Sequence, residues 1–276
     1  MIYIGCHLSV GAGYAAMADT MVDMGGKTFA YFTRNPRGGK AKEIAADDAK
    51  ALNSKLQTEH FGPLVAHGSY TMNLCSANPK TKASSWSMLA SDLERMEHFP
   101  NNFYNFHPGA HVGQGLSVGI DIIAKALNSA LKPNMSTKVL LETMAGKGTE
   151  IGSKFEELQA IIEQVDCQDK IGICFDTCHT WDAGYDVVKD IDGVLTKFDQ
   201  IIGLDRLMAI HFNDSKNPCG SHKDRHELLG QGHLGLEALK RIATHKALAD
   251  KPFILETPND EAGYKREIAL VKQWFA

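Results

Sequence analysis

The sequence predicts an α/β chain closed into a single (β/α)8 TIM barrel over residues 1–276, with the active site at the C-terminal face of the strands. Three observations predict it. Eight short runs rich in Val, Ile, Phe and Tyr recur along the chain, separated by segments of helical periodicity. The length suits eight strand–helix units, which together need about 250 residues. From the third run to the eighth, each stops on His, Asp or Glu.

In chain order, YIGCHLS at 3–9 is the first strand. The GAGYAA that follows at 11–16 lacks the spacing of a dinucleotide phosphate turn, so a doubly wound open sheet is the weaker alternative. KTFAYFTR at 27–34 is the second strand. PLVAHGSY at 63–70 brings His67, FYNFHPG at 103–109 brings His107, and KVLLETM at 138–144 brings Glu142. IGICFDTCH at 171–179 carries Asp176 and His179, LMAIHFND at 207–214 carries His211, and KPFILETP at 251–258 carries Glu256. Asp224 and His226 come from GSHKDRHELLG, the long loop after the seventh strand. Among the helices, IGSKFEELQAIIEQV puts Ile151, Phe155, Leu158, Ile161 and Ile162 on one face, with Ser153 expected as its N-cap.

Composition narrows the class. A formal net charge of −4 advertises no general basic surface, so a nucleic-acid partner needs a local patch. The chain opens without a charged, apolar leader, and no apolar stretch nears the roughly 18 residues of a membrane span. The expected setting is cytoplasmic, with no membrane partner and the six scattered cysteines as free thiols.

In a closed barrel the C-terminal strand ends open on one face, so the nine groups above converge. A single His or Glu at a strand end is usually just hydrogen-bonded or solvated. Six strands in a row ending this way need a cation, because buried carboxylates otherwise carry a large desolvation cost. Imidazole and carboxylate without thiolate suit zinc or manganese in an open, catalytic site. Nine groups exceed one ion's needs and suit a cluster of two or three, as used for in-line displacement at phosphorus. Cys174 shares strand parity with Asp176 and packs as a small hydrophobe, and its spacing to Cys178 is not that of a redox pair.

The motifs HGSY (67–70), NFHPGAH (105–111), LETMAGKG (141–148), DTCHTWDAGYD (176–186), HFNDSK (211–216), GSHKDRHELLGQG (220–232) and LETP (255–258), with the opening YIGCHLS and FTRNPR, resemble the endonuclease IV family of apurinic/apyrimidinic DNA endonucleases. The resemblance covers essentially the whole chain. It implies three zinc ions, with manganese as an alternative occupant at one or more sites. His67, His107 and Glu142 would hold one ion. Glu142 would bridge to a second, completed by Asp176, His211 and Glu256, and His179, Asp224 and His226 would hold the third. The implied reaction, in base excision repair, is hydrolysis of the phosphodiester 5' to an abasic site in duplex DNA, leaving a 3'-hydroxyl and a 5'-deoxyribose phosphate. Blocked 3' ends would also be cleaned. Glu256 and Glu142 are the expected catalytic carboxylates. Four ligand carboxylates against three divalent ions leave the pocket at about +2, so an acidic protein still presents a positive floor to phosphate. A monomer without an obligate protein partner is expected.

The resemblance also implies that Arg37 and Tyr70 fill the gap left in the base stack, with Thr71 beside them as a further DNA contact. Lys27, Arg34, Arg37, Lys40 and Lys42 are expected to form a basic stretch on the DNA backbone. Thr71, Gly38 and Gly39 depart from the bulkier residues common in the family, which predicts a weaker grip on duplex. Two rivals remain: a metal-dependent sugar isomerase or epimerase of similar barrel fold, which needs only one or two ions, and a non-catalytic binder of damaged DNA.

Overall fold

The computed structural model describes residues 2–275. Among them, the strands are β1 (Tyr3–Leu8), β2 (Ala30–Phe32), β3 (Val65–His67), β4 (Phe103–Phe106), β5 (Lys138–Glu142), β6 (Ile171–Asp176), β7 (Leu207–His211), β8 (Asp214–Ser215), β9 (His226–Glu227) and β10 (Pro252–Leu255). Eight of them, all parallel, close into a barrel in the order β1, β10, β7, β6, β5, β4, β3, β2. Each of these eight falls within the run expected of it, and helices ring the barrel to bury its outer apolar side chains. The ring comprises α1 (Tyr14–Met24), α2 (Ala46–Thr58), α3 (Pro79–Met96), α4 (Leu116–Ala130), α5 (Phe155–Ile162), α7 (Ile191–Ile201), α8 (Leu236–Ala243) and α9 (Glu261–Gln273). A short α6 (Thr177–Asp182) continues straight from β6.

Local chemistry sets the helix ends. Asn78 accepts the amides of Lys80 and Thr81 ahead of Pro79, so α3 starts on a side-chain cap with proline at its first turn. Asp260 and Asp190 cap α9 and α7 in the same way. The expected Ser153 cap is a correction: α5 begins at Phe155 after Lys154, and no side chain caps it from the front. Glu157 instead reaches back from the third helical position to the amides of Gly152 and Ser153, at 2.8 and 3.1 Å. Gly5 is dictated by contact, since a Cβ there would stand 1.7 Å from the Thr28 carbonyl oxygen.

After β7 the chain makes a two-residue antiparallel ladder of β8 with β9. Buried Asp214 organises the surrounding loop by accepting the amides of Ser215, Gly230, Gly232, Leu234 and Gly235 at 2.8 to 3.2 Å. Removing that acceptor strands two buried donors, the amides of Ser215 and Leu234, each worth about 1–3 kcal/mol, and three partly exposed ones that water can reach. Asp214→Ala is therefore expected to lower stability by about 3 kcal/mol in urea unfolding. A change below about 0.5 kcal/mol would mean the loop is held by other contacts.

Candidate metal centre

The barrel's register builds the site. Ala30, Val65, Leu140, Cys174, Ala209 and Ile254 meet in a buried cluster inside the barrel. Side chains alternate along a strand, so the residues two positions on point into the same interior, one layer nearer the C-terminal mouth. Those residues are Phe32, His67, Glu142, Asp176, His211 and Glu256. On β4 the corresponding position is Asn105, with His107 two residues above it. On β1 it is His7: Cys6 pairs with Leu255, which sets His7 beside Glu256, with Nε2 2.7 Å from Oε1.

Glu142 is fully buried, and its two oxygens serve different histidines. Oε2 lies 3.3 Å from His67 Nε2 and 3.5 Å from His107 Nε2, while Oε1 lies 3.2 Å from both His211 Nδ1 and His179 Nδ1. Asn105 donates to Oε2 at 2.6 Å. His211 Nδ1 also stands 2.9 Å from Glu256 Oε2 and 3.9 Å from Asp176 Oδ2. Asp176 ends β6 and caps α6, its Oδ1 accepting the His179 amide at 2.7 Å, while its Oδ2 faces the cavity and accepts from Asn213 Nδ2 at 2.8 Å. His226 Nε2, buried and without a hydrogen-bond partner, faces Asp176 Oδ2 at 3.6 Å and Asp224 Oδ1 at 3.9 Å. Asp224 Oδ1 is 3.0 Å from His179 Nε2.

These separations test whether a cation fits. Two ligand atoms about 2.1 Å from one ion at a tetrahedral angle stand about 3.4 Å apart. The edges from Glu142 to His67 and His107 and from Asp176 to His226 bracket that value, and the last is too long for a hydrogen bond. The ligand atoms of His67, His107 and Glu142, of Glu142, Asp176, His211 and Glu256, and of Asp176, His179 and His226 each gather within 4.8 Å. The donor set is nitrogen and oxygen alone. Cys174 and Cys178 are buried and join none of these groups: Cys174 lies one layer below, beside His211, and burial pushes its thiol up to about 12. The residues present fit divalent metal binding.

Electrostatics point the same way. Burial alone would raise Glu142 and Glu256, but His211, His107 and His179 around the first, and His211 and His7 around the second, hold both well below the carboxylate range. Burial alone would lower His179 and His211. Asp176, Asp224 and Glu142 raise the former, and Cys174, Glu256 and Glu142 the latter, well above 6.5. Burial raises Asp176, and it lowers His7 and, to about 4, His107. Of the centre's rings, His179 and His211 are thus the two that favour a proton. The raised histidines stabilise the metal-free fold below pH 6.5 and lose that contribution as pH rises through their folded values. Metal-free protein is expected to lose thermal stability above pH 6.5, and the metal-loaded protein much less. A metal-free melting temperature flat from there to pH 9 would contradict the charge arrangement.

All nine residues expected at the centre are brought to one mouth. The rim divides. Tyr70 is 60 % exposed there, its ring edge-on to Phe32 at 4.9 Å, and Arg37 and Thr71 are exposed beside it. Gly38 (φ +90°) sits where a Cβ would meet Thr71 Oγ1 at 2.7 Å. Of the basic stretch, Arg37, Lys40 and Lys42 are exposed in the loop after β2, the last of them alongside α3, where Arg95 donates to the Lys42 carbonyl at 2.6 Å. Lys27 precedes β2 at the opposite end of the barrel, against Glu59 and Phe61, and Arg34 is neutralised by buried Asp92 at 2.6 Å. Asn105 and His7 were missed. Strand parity would have found both, as each lies in the layer of His67 and Glu142.

Comparisons with known proteins give consistent matches. A family model described as a xylose isomerase-like TIM barrel matches residues 18–274. A protein of Clostridium botulinum called probable endonuclease 4 is 53 % identical over 272 residues, covering 99 % of this chain and 98 % of that protein. The crystal structure of endonuclease IV from Thermus thermophilus superposes with a TM-score of 0.89 at 31 % identity, over 99 % of this chain and 98 % of that one. A D-tagatose 3-epimerase-like protein superposes with a TM-score of 0.70 at 16 % identity, over 99 % and 97 %, which is likeness of fold alone. Among the described residues, no helix is long and apolar enough to cross a membrane.

Proposed function

The chain belongs to the endonuclease IV family, and from that premise we propose that it is an abasic-site DNA endonuclease of base excision repair, with three zinc ions in the mouth of the barrel. It hydrolyses the phosphodiester 5' to an abasic nucleotide, leaving a 3'-hydroxyl and a 5'-deoxyribose phosphate, and also cleans blocked 3' ends. The observation that carries this reading is Glu142, a fully buried carboxylate whose two oxygens face separate histidine groups at 3.2 to 3.5 Å. A bridging carboxylate of that kind supports a multinuclear centre. Its assigned groups are His67 and His107 with Glu142, then Asp176, His211 and Glu256 with Glu142, then His179, Asp224 and His226.

Bound divalent ions would neutralise phosphate charge and lower the pKa of water to near neutrality. The chain's own residues do the rest. Glu256 accepts the proton of the attacking water and orients it, held between His7 and His211 at 2.7 and 2.9 Å. The water oxygen bonds to phosphorus while the bond to the 3'-oxygen breaks, and that oxygen takes up a proton. Buried Glu142 keeps the ligand histidines on either side of it in place. At the rim, Tyr70 and Arg37 occupy the space vacated when the weakly stacked abasic nucleotide leaves the helix. Arg37, Lys40 and Lys42 meet backbone phosphates.

The direct test is incision of a duplex carrying one abasic analogue that resists β-elimination, by metal-stripped and zinc-restored protein. Cutting on the 5' side, lost on stripping and regained with zinc, is expected. No cutting by the loaded protein would transfer weight to the sugar isomerase reading, which predicts turnover of a free ketose instead. The rim departures give a second test. Thr71→Leu adds an apolar wedge beside Tyr70, and abasic-duplex affinity should rise by about tenfold, or about 1.4 kcal/mol. No gain would mean that Thr71 does not enter the stack.

A further inference from the structure

We propose that Asp182 is a positioning residue that shapes the third ion's site by clamping the loop between β8 and β9 onto α6. The inference rests on the reading that His179, Asp224 and His226 hold an ion. Asp182 is fully buried in the last turn of α6, three residues after His179, and the chemistry above makes no use of it. Its Oδ2 accepts the Asp224 amide at 2.8 Å, and its Oδ1 accepts the Ser215 hydroxyl at 2.7 Å. Ser215 lies on β8 directly opposite His226 on β9. One carboxylate therefore reaches the backbone of Asp224 and the strand partner of His226.

The rest of that turn grips the same loop. The Asp182 carbonyl accepts the His222 amide at 3.0 Å, and the Trp181 carbonyl accepts the Gly220 amide at 3.1 Å. The Trp181 indole donates to the Asn217 carbonyl at 2.9 Å. The clamp is needed because the loop adopts a conformation its residues disfavour. His222 and Asp224 have φ of +53° and +55°, in the left-handed region that residues bearing a Cβ visit only when surrounding contacts enforce it. With Asp224 held so, its Oδ1 faces His179 Nε2 at 3.0 Å, and Lys147 Nζ covers Oδ2 at 3.2 Å. Thus α6 supplies His179 itself and, through Asp182, fixes the two ligands that arrive from a loop. The other ions' ligands stand on or next to barrel strands and need no such device.

The test compares wild type, Asp182→Ala and Asp182→Asn by zinc content per chain during titration with a graded chelator. In Asp182→Ala one ion of three should bind about 10–100-fold more weakly, with the other two unchanged. Asp182→Asn should lie between, since its carbonyl can accept the Asp224 amide and its NH2 can donate to Ser215 Oγ. Three ions held with wild-type affinity in Asp182→Ala, or equal loss of all three, would overturn the proposal. A second measurement needs no variant: in metal-free wild type the His222 and Asp224 amides should resist hydrogen exchange as α6 does. Free exchange there would overturn the clamp even if Asp182→Ala failed to fold. A wild-type chain that never holds more than two ions would overturn the three-ion reading instead, and the exchange result would still decide the clamp.

Discussion

Glu256→Gln is expected to lower single-turnover incision of abasic duplex by about 10³-fold, the middle of the range for loss of a general base. Lesion affinity should stay within about threefold. The substitution keeps shape and volume and replaces a single oxygen by an amide that cannot accept a proton. Its position is narrowly defined: Oε1 lies 2.7 Å from His7 Nε2, Oε2 lies 2.9 Å from His211 Nδ1, and the main-chain amide donates to Asn213 at 2.8 Å. The residue is thus held from three sides, and the variant keeps its contacts while losing its charge. Metal content measured alongside separates loss of the proton acceptor from loss of an ion. Incision at the wild-type rate by a fully loaded variant would remove Glu256 from the proton transfer. If wild-type protein binds the lesion and never cuts it, the damage-binder reading stands in its place.

The parts of this centre differ in how legible they are from sequence, and strand parity is the reason. Val65, Leu140, Cys174, Ala209 and Ile254 are ordinary apolar fillers, and His67, Glu142, Asp176, His211 and Glu256 each follow two positions later. That offset of two marks an interior layer, so local pattern suffices to place those side chains in one mouth. The same pattern overreaches in length. The run at 27–34 pairs only over Ala30–Phe32, and the run at 63–70 only over Val65–His67, because the chain turns into loop as soon as the interior layers are filled.

What parity does not encode is the partner a side chain finds far along the chain. Arg34 looks like a free cation near a strand end. It is consumed by Asp92, which lies 58 residues away and is itself buried against Tyr104. Lys27 shares a run with Arg34 but stands on the other side of β2, at the opposite end of the barrel. Asp182 reads as one more polar residue in DTCHTWDAGYD, and only tertiary contact joins it to Ser215 and Asp224. Charge runs describe where cations lie in sequence, whereas their availability depends on packing.

Replacing Glu142 by Ala should cut incision by more than about 10⁴-fold, because it removes a member of a unit whose parts act together. It should also reduce metal content by more than one ion per chain. His67 and His107 on one side and His179 and His211 on the other would lose the oxygen that each faces. Asn105 Nδ2 would lose the acceptor it holds at 2.6 Å. The variant carries a second signature that does not depend on catalysis. Glu142 is among the groups that raise His179 and His211, so its removal should reduce the loss of metal-free stability above pH 6.5. Glu142→Ala protein that retains all its metal would assign the bridging position to another group. An unchanged alkaline limb would instead transfer the raised histidine affinities to Asp176, Asp224 and Glu256, the remaining carboxylates acting on those rings. Both outcomes follow from one buried carboxylate, and metal analysis and pH-dependent melting read them independently.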